Sequence, residues 1–234
     1  MNTKLKIKIT VDILMTIAMF VTMCYPYTGG DYHEVAGTVL LVLIILHQIL
    51  NRNWYKNLMN GSFSGPRILQ TIVDIGMLVV LFLQMFSGIS MSGYVFTFLP
   101  FGMNVGLART IHLVCAYISF LLMSFHVGLH YGMIINMFRK MFHIKETNKT
   151  RTTVLRVIAM GIAIYGVIAL VKRDFLEYIM MQTHFAFFDF EEPVLIFVID
   201  YIAIMEMMVF VAYYLQKWLI EKTKQEITKK EKTK

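Results

Sequence analysis

Long apolar stretches separated by short polar ones set the pattern of this chain. Six stretches approach the roughly 20 residues that a helix needs to cross the hydrocarbon core of a bilayer. They cover approximately residues 9–27, 33–51, 68–91, 108–136, 154–171 and 194–216, and the second and fifth are near the short limit. The pattern predicts an all-α, polytopic membrane helix bundle with six transmembrane helices in contact with lipid.

The positions of Lys and Arg predict the orientation of the helices. All but three of the 22 Lys and Arg residues lie before the first helix, after the sixth, or in and beside the connections between helices two and three and between helices four and five. The other side of the membrane carries only Arg109, Lys172 and Arg173. Because positive residues accumulate on the cytoplasmic side, both termini are expected to be cytoplasmic. No signal-peptidase pattern follows the first apolar stretch, so this helix is expected to be retained.

Composition excludes a soluble domain, because 57% of the residues are hydrophobic and only 16% are charged. Residues 1–220 are predicted to form one transmembrane domain, and residues 221–234 a charged cytoplasmic tail. The net charge of +7 is distributed between the apolar segments and at the termini, so nucleic-acid binding is not expected.

Five of the seven histidines lie in or at the edges of two apolar helices. His33 and His47 are 14 residues apart on the second helix, and His112 and His126 are 14 apart on the fourth. Fourteen steps return to within about 40° of the same helix face after a rise of roughly 21 Å. Both helices run from outside to inside and are therefore parallel. The spacing predicts that His33 faces His112 near the outer surface, and that His47 faces His126 nearer the inner surface.

Two facing imidazoles are the axial ligands of a b-type haem. The sequence therefore predicts two haem b groups stacked across the bilayer, with His33, His112, His47 and His126 as the iron ligands. Covalent c-type attachment is excluded, because Cys-x-x-Cys-His does not occur. The expected activity is electron transfer between the two faces of the membrane.

Three residues beside these histidines are further candidates for cofactor binding. Gly37 lies one turn from His33 and either admits a porphyrin edge or permits close helix packing. Arg109 either pairs with a haem propionate or anchors the helix at the interface. His130 is an alternative inner ligand, a quinone contact, a proton relay, or half of a metal site with His126.

Two acids and two histidines complete the candidates. Asp12 and Asp74 are expected at similar depth near the inner face, where they either transfer protons during quinol chemistry or stabilise helix packing. His143 on the cytoplasmic side and His184 in the outer segment are expected to be unligated.

Five motifs are spread over nearly the whole chain: His33-Glu34-x-x-Gly37, His47-Gln48-x-x-Asn51, Arg109-x-x-His112, His126-x-x-x-His130 and His184-Phe-x-Phe-Phe-Asp189-Phe-x-Glu-Pro193. With them the chain resembles the flavinylation-associated cytochromes, small bacterial membrane proteins related in plan to di-haem cytochrome b subunits. The resemblance implies electron passage between a membrane quinol pool and an extracytoplasmic flavoprotein, in the bacterial cytoplasmic membrane. No flavin-attachment sequence occurs here, so any flavin would be carried by the partner.

The outer segment Asp174–Glu192 carries five acids and many aromatic residues. This composition is typical of a docking surface, and equally of an aromatic belt at the lipid headgroups.

Two other classes of protein use intramembrane histidines. A metal-dependent membrane enzyme is one, but His33-Glu34 lacks the second histidine of a zinc-protease motif, because Gly37 stands there. A proton-coupled transporter is the other, although no corresponding halves with broken helices are visible. The sequence leaves open whether quinol oxidation would make the chain a redox enzyme subunit.

Overall fold

A computed structural model describes residues 3–61, 63–99, 102–144, 148–183, 185–186, 189 and 191–232. Within these residues the chain is all-helical, as the hydrophobic pattern predicts, and contains no strand. The helices are α1 (Thr3–Met23), α2 (Tyr25–Leu50), α3 (Asn53–Asn57), α4 (Gly65–Ser90), α5 (Val105–Met141), α6 (Lys149–Lys172), α7 (Phe175–Ile179) and α8 (Val194–Lys232).

Five helices of the described chain, α2, α4, α5, α6 and α8, are long and apolar enough to cross a membrane. Their apolar side chains are widely exposed. On α6, for example, Val157, Ile164 and Ile168 are each more than half exposed. Contiguous exposed apolar surface of this kind needs lipid or a partner to cover it. The helices are therefore those of a multi-pass membrane protein.

The first predicted span, residues 9–27, falls on α1 and on the first residues of α2, because α1 ends at Met23. Unlike the five helices named above, α1 has more than two charged residues within every stretch long enough to cross a membrane. Every 18-residue stretch of α1 includes Lys6, Lys8 and Asp12. Two of these charged groups contact the end of α2. Lys8 Nζ donates to Asn51 Oδ1 over 2.7 Å, and Asp12 Oδ1 lies 2.7 Å from a ring nitrogen of His47. Pairing with α2 lowers the cost of placing these groups beside an apolar helix.

Two helices, α5 and α8, are much longer than the apolar segments that predicted them. α5 has 37 residues and is therefore about 55 Å long, well beyond a hydrocarbon core of about 30 Å. α8 has 39 residues and continues into the predicted tail. The apolar pattern alone detects only the lipid-compatible part of each helix, because their polar ends carry no such signal.

A kink at Gly29 sets the start of the regular part of α2. Gly29 has φ +74° and ψ 176°, which glycine adopts at little cost because it has no Cβ. Residues 30–50 beyond it form the regular helix that carries His33 and His47. The predicted start near residue 33 is close to this point.

The described chain divides into two compact units. The first comprises Met1–Gly61, Val79–Ile118 and Glu177–Val198. Its α1 packs along α2, burying Met19 and Met23 of α1 and Ile44 of α2. Tyr117 stacks on Tyr178, with ring centres 4.4 Å apart and planes 11° from parallel.

The second unit comprises Ser62–Leu78, Ser119–Leu176 and Ile199–Lys234. Two glycines permit its helix backbones to approach closely. A Cβ added at Gly128 of α5 would lie 2.6 Å from the Val209 carbonyl oxygen of α8. A Cβ added at Gly166 of α6 would overlap the Ala203 carbonyl, also on α8.

A buried carboxylate joins α6 to α8 in the second unit. Asp200 is fully buried and accepts hydrogen bonds from Tyr165 Oη at 2.5 Å and Lys172 Nζ at 2.9 Å. Arg173 contributes Nε at 2.8 Å and Nη2 at 2.6 Å. A buried charge is tolerated only when it is paired in this way. Two of the three basic residues predicted on the outer side thus bind one acid.

Candidate functional site

The imidazoles of His33 and His112 lie side by side in the first unit. Their ring centres are 5.9 Å apart, and their planes make an angle of 76°. His33 lies one turn past the Gly29 kink on α2, and His112 lies in the second turn of α5. The structure thus brings together the two residues that the sequence spacing paired near the outer surface.

The His33 ring is held by the end of α1. Its Nδ1 lies 3.1 Å from the Thr22 carbonyl oxygen. In a continuous helix this oxygen would accept from the N–H of residue 26, but that residue is Pro26 and has no N–H. The carbonyl is therefore open to the imidazole. Nδ1–H donates to it, which leaves the lone pair on Nε2.

The His112 ring is held against the backbone of α4. Its Nδ1 lies 3.1 Å from the Gln84 carbonyl oxygen and 3.4 Å from Ser87 Oγ. Gly88 permits this approach, because an added Cβ would lie only 3.0 Å from His112 Cε1. As in His33, donation from Nδ1 leaves the lone pair on Nε2.

The Gln84 side chain contacts the other nitrogen of the same ring. Its Nε2 lies 3.2 Å from His112 Nε2, so the amide donates to that lone pair. The Gln84 Oε1 atom is buried and has no hydrogen-bond partner among the residues described. An unpaired buried carbonyl is costly, and this amide is therefore poorly satisfied in its position.

In the first unit, His47 contacts a carboxylate of α1. Its Nδ1 lies 2.7 Å from Asp12 Oδ1. The Asp12 side chain is 53% exposed and that of His47 is 23% exposed. Asn51 Nδ2 lies 3.4 Å from His47 Nε2 and 2.9 Å from the His47 carbonyl oxygen.

In the second unit, His126 has the same kind of contact with α4. Its Nδ1 lies 2.8 Å from Asp74 Oδ1, and the side chains are 20% and 12% exposed. His130 lies one turn further along α5, with its ring centre 4.7 Å from that of His126. His130 Nε2 lies 3.1 Å from Gln70 Nε2.

All four predicted ligands therefore share one arrangement. In each, Nδ1 contacts an oxygen: a backbone carbonyl for His33 and His112, and a carboxylate for His47 and His126. Such an oxygen fixes the Nδ1–H tautomer and directs Nε2 toward whatever the ring binds. His47 belongs to the first unit and His126 to the second, and their predicted pairing stays a prediction.

Glu34 fixes the loop that follows α4 to the helix that carries His33. Its carboxylate accepts from Ser92 Oγ at 2.6 Å and from the N–H groups of Gly93, Tyr94 and Val95 at 2.8–3.0 Å. The His33-Glu34 pair seen in the sequence thus combines a candidate ligand with a structural clamp.

The other candidate residues have distinct surroundings. The Arg109 guanidinium lies over the Phe185 ring, with 5.1 Å from Cζ to the ring centre. A Cβ added at Gly37 would meet no described atom within 4 Å, so close helix packing does not account for this glycine. His184 lies outside the described residues.

Sequence reasoning missed Gln84, Ser87 and Gly88, which together seat His112. Their spacing on one face of α4 was visible, but nothing in the apolar pattern distinguishes them from ordinary helix-packing residues. No group of three or more His, Cys, Asp or Glu in the described part of the chain is arranged to hold a metal ion. A haem with two histidine ligands needs only two such side chains.

Comparisons with family models, curated proteins and solved structures gave no match. Within the described residues, the fold and the site define a helical membrane protein with five helices suited to a membrane and with the imidazoles of His33 and His112 side by side. The particular family stays a prediction from the motifs quoted above.

Proposed function

We propose that this chain transfers electrons across a membrane through two b-type haems, each held by two histidines. The observation that carries the proposal is the oxygen acceptor at Nδ1 of all four predicted ligands. Metal-ligating histidines nearly always donate their second ring N–H to a carbonyl or carboxylate. A histidine that only stabilises packing can donate from either ring nitrogen, so the use of Nδ1 at all four positions favours ligation through Nε2.

The outer pair, His33 and His112, supports such a group by proximity and by donor type. The ring centres are 5.9 Å apart, and in each ring the Nδ1 hydrogen bond leaves Nε2 as the nitrogen that would ligate iron. A ligand at His112 Nε2 would replace the Gln84 amide, whose Oε1 already lacks a described partner.

The assignment of His47 and His126 to a second haem rests on two arguments. Their spacing from His33 and His112 is 14 residues in both helices. Each also contacts a carboxylate inside its own unit.

When bound, the two haems supply one-electron carriers with no open coordination position for a substrate. The chain's own residues orient the four imidazoles through the oxygen that each Nδ1 contacts. We assign Arg109 to a haem propionate and Gly37 to the approach of a porphyrin edge. Both assignments rest on their positions one turn from His112 and His33.

The proposed topology has six transmembrane helices: the five named above and α1. Both termini lie in the cytoplasm of a bacterial cell. Lys8 and Asp12 contact α2, and this pairing reduces the cost of burying α1. The distribution of Lys and Arg gives the orientation.

The proposed partners are a membrane quinol pool and an extracytoplasmic flavin-carrying protein. The first candidate for a quinone contact is His130 with Gln70, whose nitrogens lie 3.1 Å apart. The outer segment Asp174–Glu192 is the candidate docking surface for the flavoprotein. The two partners follow from the resemblance to flavinylation-associated cytochromes, whereas the docking surface rests on the acids and aromatic residues of the segment.

A haem count with a reduced-minus-oxidised spectrum tests the proposal. We expect two haems per wild-type chain and one in His33→Ala or His112→Ala, because each change removes one of the two histidines that would hold the outer haem. His47→Ala and His126→Ala should remove the other haem. His143→Ala is the matched control, since His143 lies beyond the end of α5, and it should retain both.

A colourless wild-type protein, or two haems in all four variants, would contradict the proposal. A colourless protein that binds zinc or iron would favour the metal-dependent enzyme. One that moves protons in vesicles would favour the transporter.

A further inference from the structure

Gln84 contacts both nitrogens of the His112 ring. Its backbone carbonyl oxygen lies 3.1 Å from His112 Nδ1, and its side-chain Nε2 lies 3.2 Å from His112 Nε2. A carbonyl oxygen only accepts hydrogen bonds, and an amide nitrogen only donates them. The first contact therefore places the ring proton on Nδ1, and the second requires a lone pair on Nε2. One residue thus selects the tautomer that ligation through Nε2 needs.

The two contacts differ in how easily they are broken. The backbone contact is fixed, because the Gln84 carbonyl belongs to α4 and also accepts from Ser87 Oγ at 3.0 Å. Ser87 Oγ itself lies 3.4 Å from His112 Nδ1, and Gly88 leaves room for the ring. The side-chain contact depends only on the rotamer of Gln84. The amide is therefore free to leave Nε2 while the other contacts keep the ring in place.

The Gln84 side chain gains little from its position. Its Oε1 atom is buried, and no hydrogen-bond partner for it lies within the part of the chain that the structure describes. A buried carbonyl without a partner is destabilising relative to one in contact with water. Departure of the amide breaks one hydrogen bond and allows this oxygen to find a partner, so the amide is readily exchanged for a stronger ligand.

We infer that Gln84 is a positioning residue of the outer site, whose side chain caps His112 Nε2 in the haem-free chain and leaves when that nitrogen binds iron. The inference rests on the proposed function. It adds an exchangeable hydrogen bond that holds His112 in the ligating tautomer and lowers the affinity of the outer site for haem. All of the contacts that carry it lie within the first unit.

Two substitutions of Gln84 should change haem affinity in opposite directions. Gln84→Leu keeps most of the side-chain volume and removes the amide, so no hydrogen bond competes with iron at Nε2. Haem should bind the outer site about 2- to 10-fold more tightly, which corresponds to the net strength of one ordinary hydrogen bond. Gln84→Glu places a carboxylate there, which only accepts and therefore favours a proton on Nε2. Haem should bind this variant more weakly than wild type.

Two measurements on the full-length protein in detergent test these expectations. Haem is titrated into protein purified without it, and the binding that His33→Ala abolishes is assigned to the outer site. The ¹⁵N NMR spectrum of the haem-free protein reports the tautomer of His112, whose signal is assigned by its loss in His112→Ala. We expect a proton on Nδ1 alone in wild type and in Gln84→Leu, and a proton on Nε2 in Gln84→Glu. A residue that only packed against the ring would not move this proton.

Gln216→Leu is the matched control. Gln216 of α8 also has a buried Oε1 without a partner among the described residues, and none of the hydrogen bonds described for the four predicted ligands involves it. The same substitution there should leave the haem affinity of the outer site and the His112 tautomer at their wild-type values. If Gln84→Leu fails to accumulate, Gln84→Glu tests the inference by the same two measurements.

The outcomes separate the inference from the proposed function. Unchanged or weaker haem binding in Gln84→Leu, in a protein that binds two haems, would overturn the inference and leave the electron-transfer proposal standing. An equal rise in affinity in Gln216→Leu would overturn it as well, because the effect would then not be specific to His112. So would a proton on Nε2 of His112 in the haem-free wild type. A wild-type protein that binds no haem would remove both.

Discussion

At the scale of single residues, the candidate site depends on how closely a ring can approach a backbone. His112 contacts the α4 main chain because Gly88 has no side chain. The same approach brings Nδ1 within reach of the Gln84 carbonyl. Glycine here has a steric role, since its backbone is helical and needs no unusual φ.

We predict that Gly88→Ala displaces His112 and reduces the content of the outer haem. The added methyl would lie 3.0 Å from Cε1 and 3.2 Å from Nδ1 of His112. Such overpacking costs about 1–3 kcal/mol, which exceeds the gain of about 1 kcal/mol in helix propensity. Haem per protein and thermal unfolding measure the two effects.

Gly161→Ala is the matched control for this change. Gly161 is exposed on α6, and an added Cβ meets no described atom within 4 Å. The alanine should keep both haems and leave stability equal or slightly higher. Equal haem content in the two variants would show that the His112 ring adjusts without losing its ligand position.

At the scale of elements, Glu34 connects α2 to the loop after α4. One carboxylate satisfies the Ser92 hydroxyl and three consecutive backbone N–H groups. A side chain that binds several successive amides acts as a rigid link between two segments. Because His33 precedes Glu34 on α2, this link also fixes the orientation of His33.

We predict that Glu34→Ala lowers thermal stability and the content of the outer haem. Without the carboxylate, the loop N–H groups must hydrogen-bond to water instead. For a partly exposed site this lowers the free energy of unfolding by about 1–2 kcal/mol. Glu34→Gln should fall between wild type and Glu34→Ala, because it keeps an acceptor but loses the charge.

Glu226→Ala provides the control, because this residue is exposed near the end of α8. It should match wild type in melting temperature and in haem content. Wild-type haem content in Glu34→Ala would mean that the clamp stabilises the loop without orienting His33.

At the scale of the whole molecule, the apolar pattern predicted an all-helical membrane chain, and five of the described helices are suited to a membrane. Each predicted segment overlaps a long helix, and His33 and His112, which the spacing of 14 residues paired, lie side by side. The pattern did not reveal what holds the rings. Thr22 and Gln84 act through backbone oxygens, which carry no signature in residue type, and Gly88 looks in the sequence like an ordinary helix-packing glycine. Asp12 and Asp74 were recognisable as acids near the inner face, but their contacts with His47 and His126 depend on helix rotation.

The proposed topology predicts that both ends of the chain face the cytoplasm. A reporter that is active only in the cytoplasm should work when fused to either terminus, and should fail when inserted in the outer segment Asp174–Glu192. The reason is the concentration of Lys and Arg on one side of the helices. Opposite locations of the two termini would mean that α1 does not cross the membrane.

Thr22 and Pro26 should differ in how well they tolerate substitution. His33 is oriented by the main-chain oxygen of residue 22, so the identity of the Thr22 side chain matters little to it. Any residue other than proline at position 26 would supply an amide hydrogen that competes with the imidazole for that oxygen. Sequence variation among relatives should therefore be broad at position 22 and narrow at position 26, the reverse of what side-chain chemistry alone suggests.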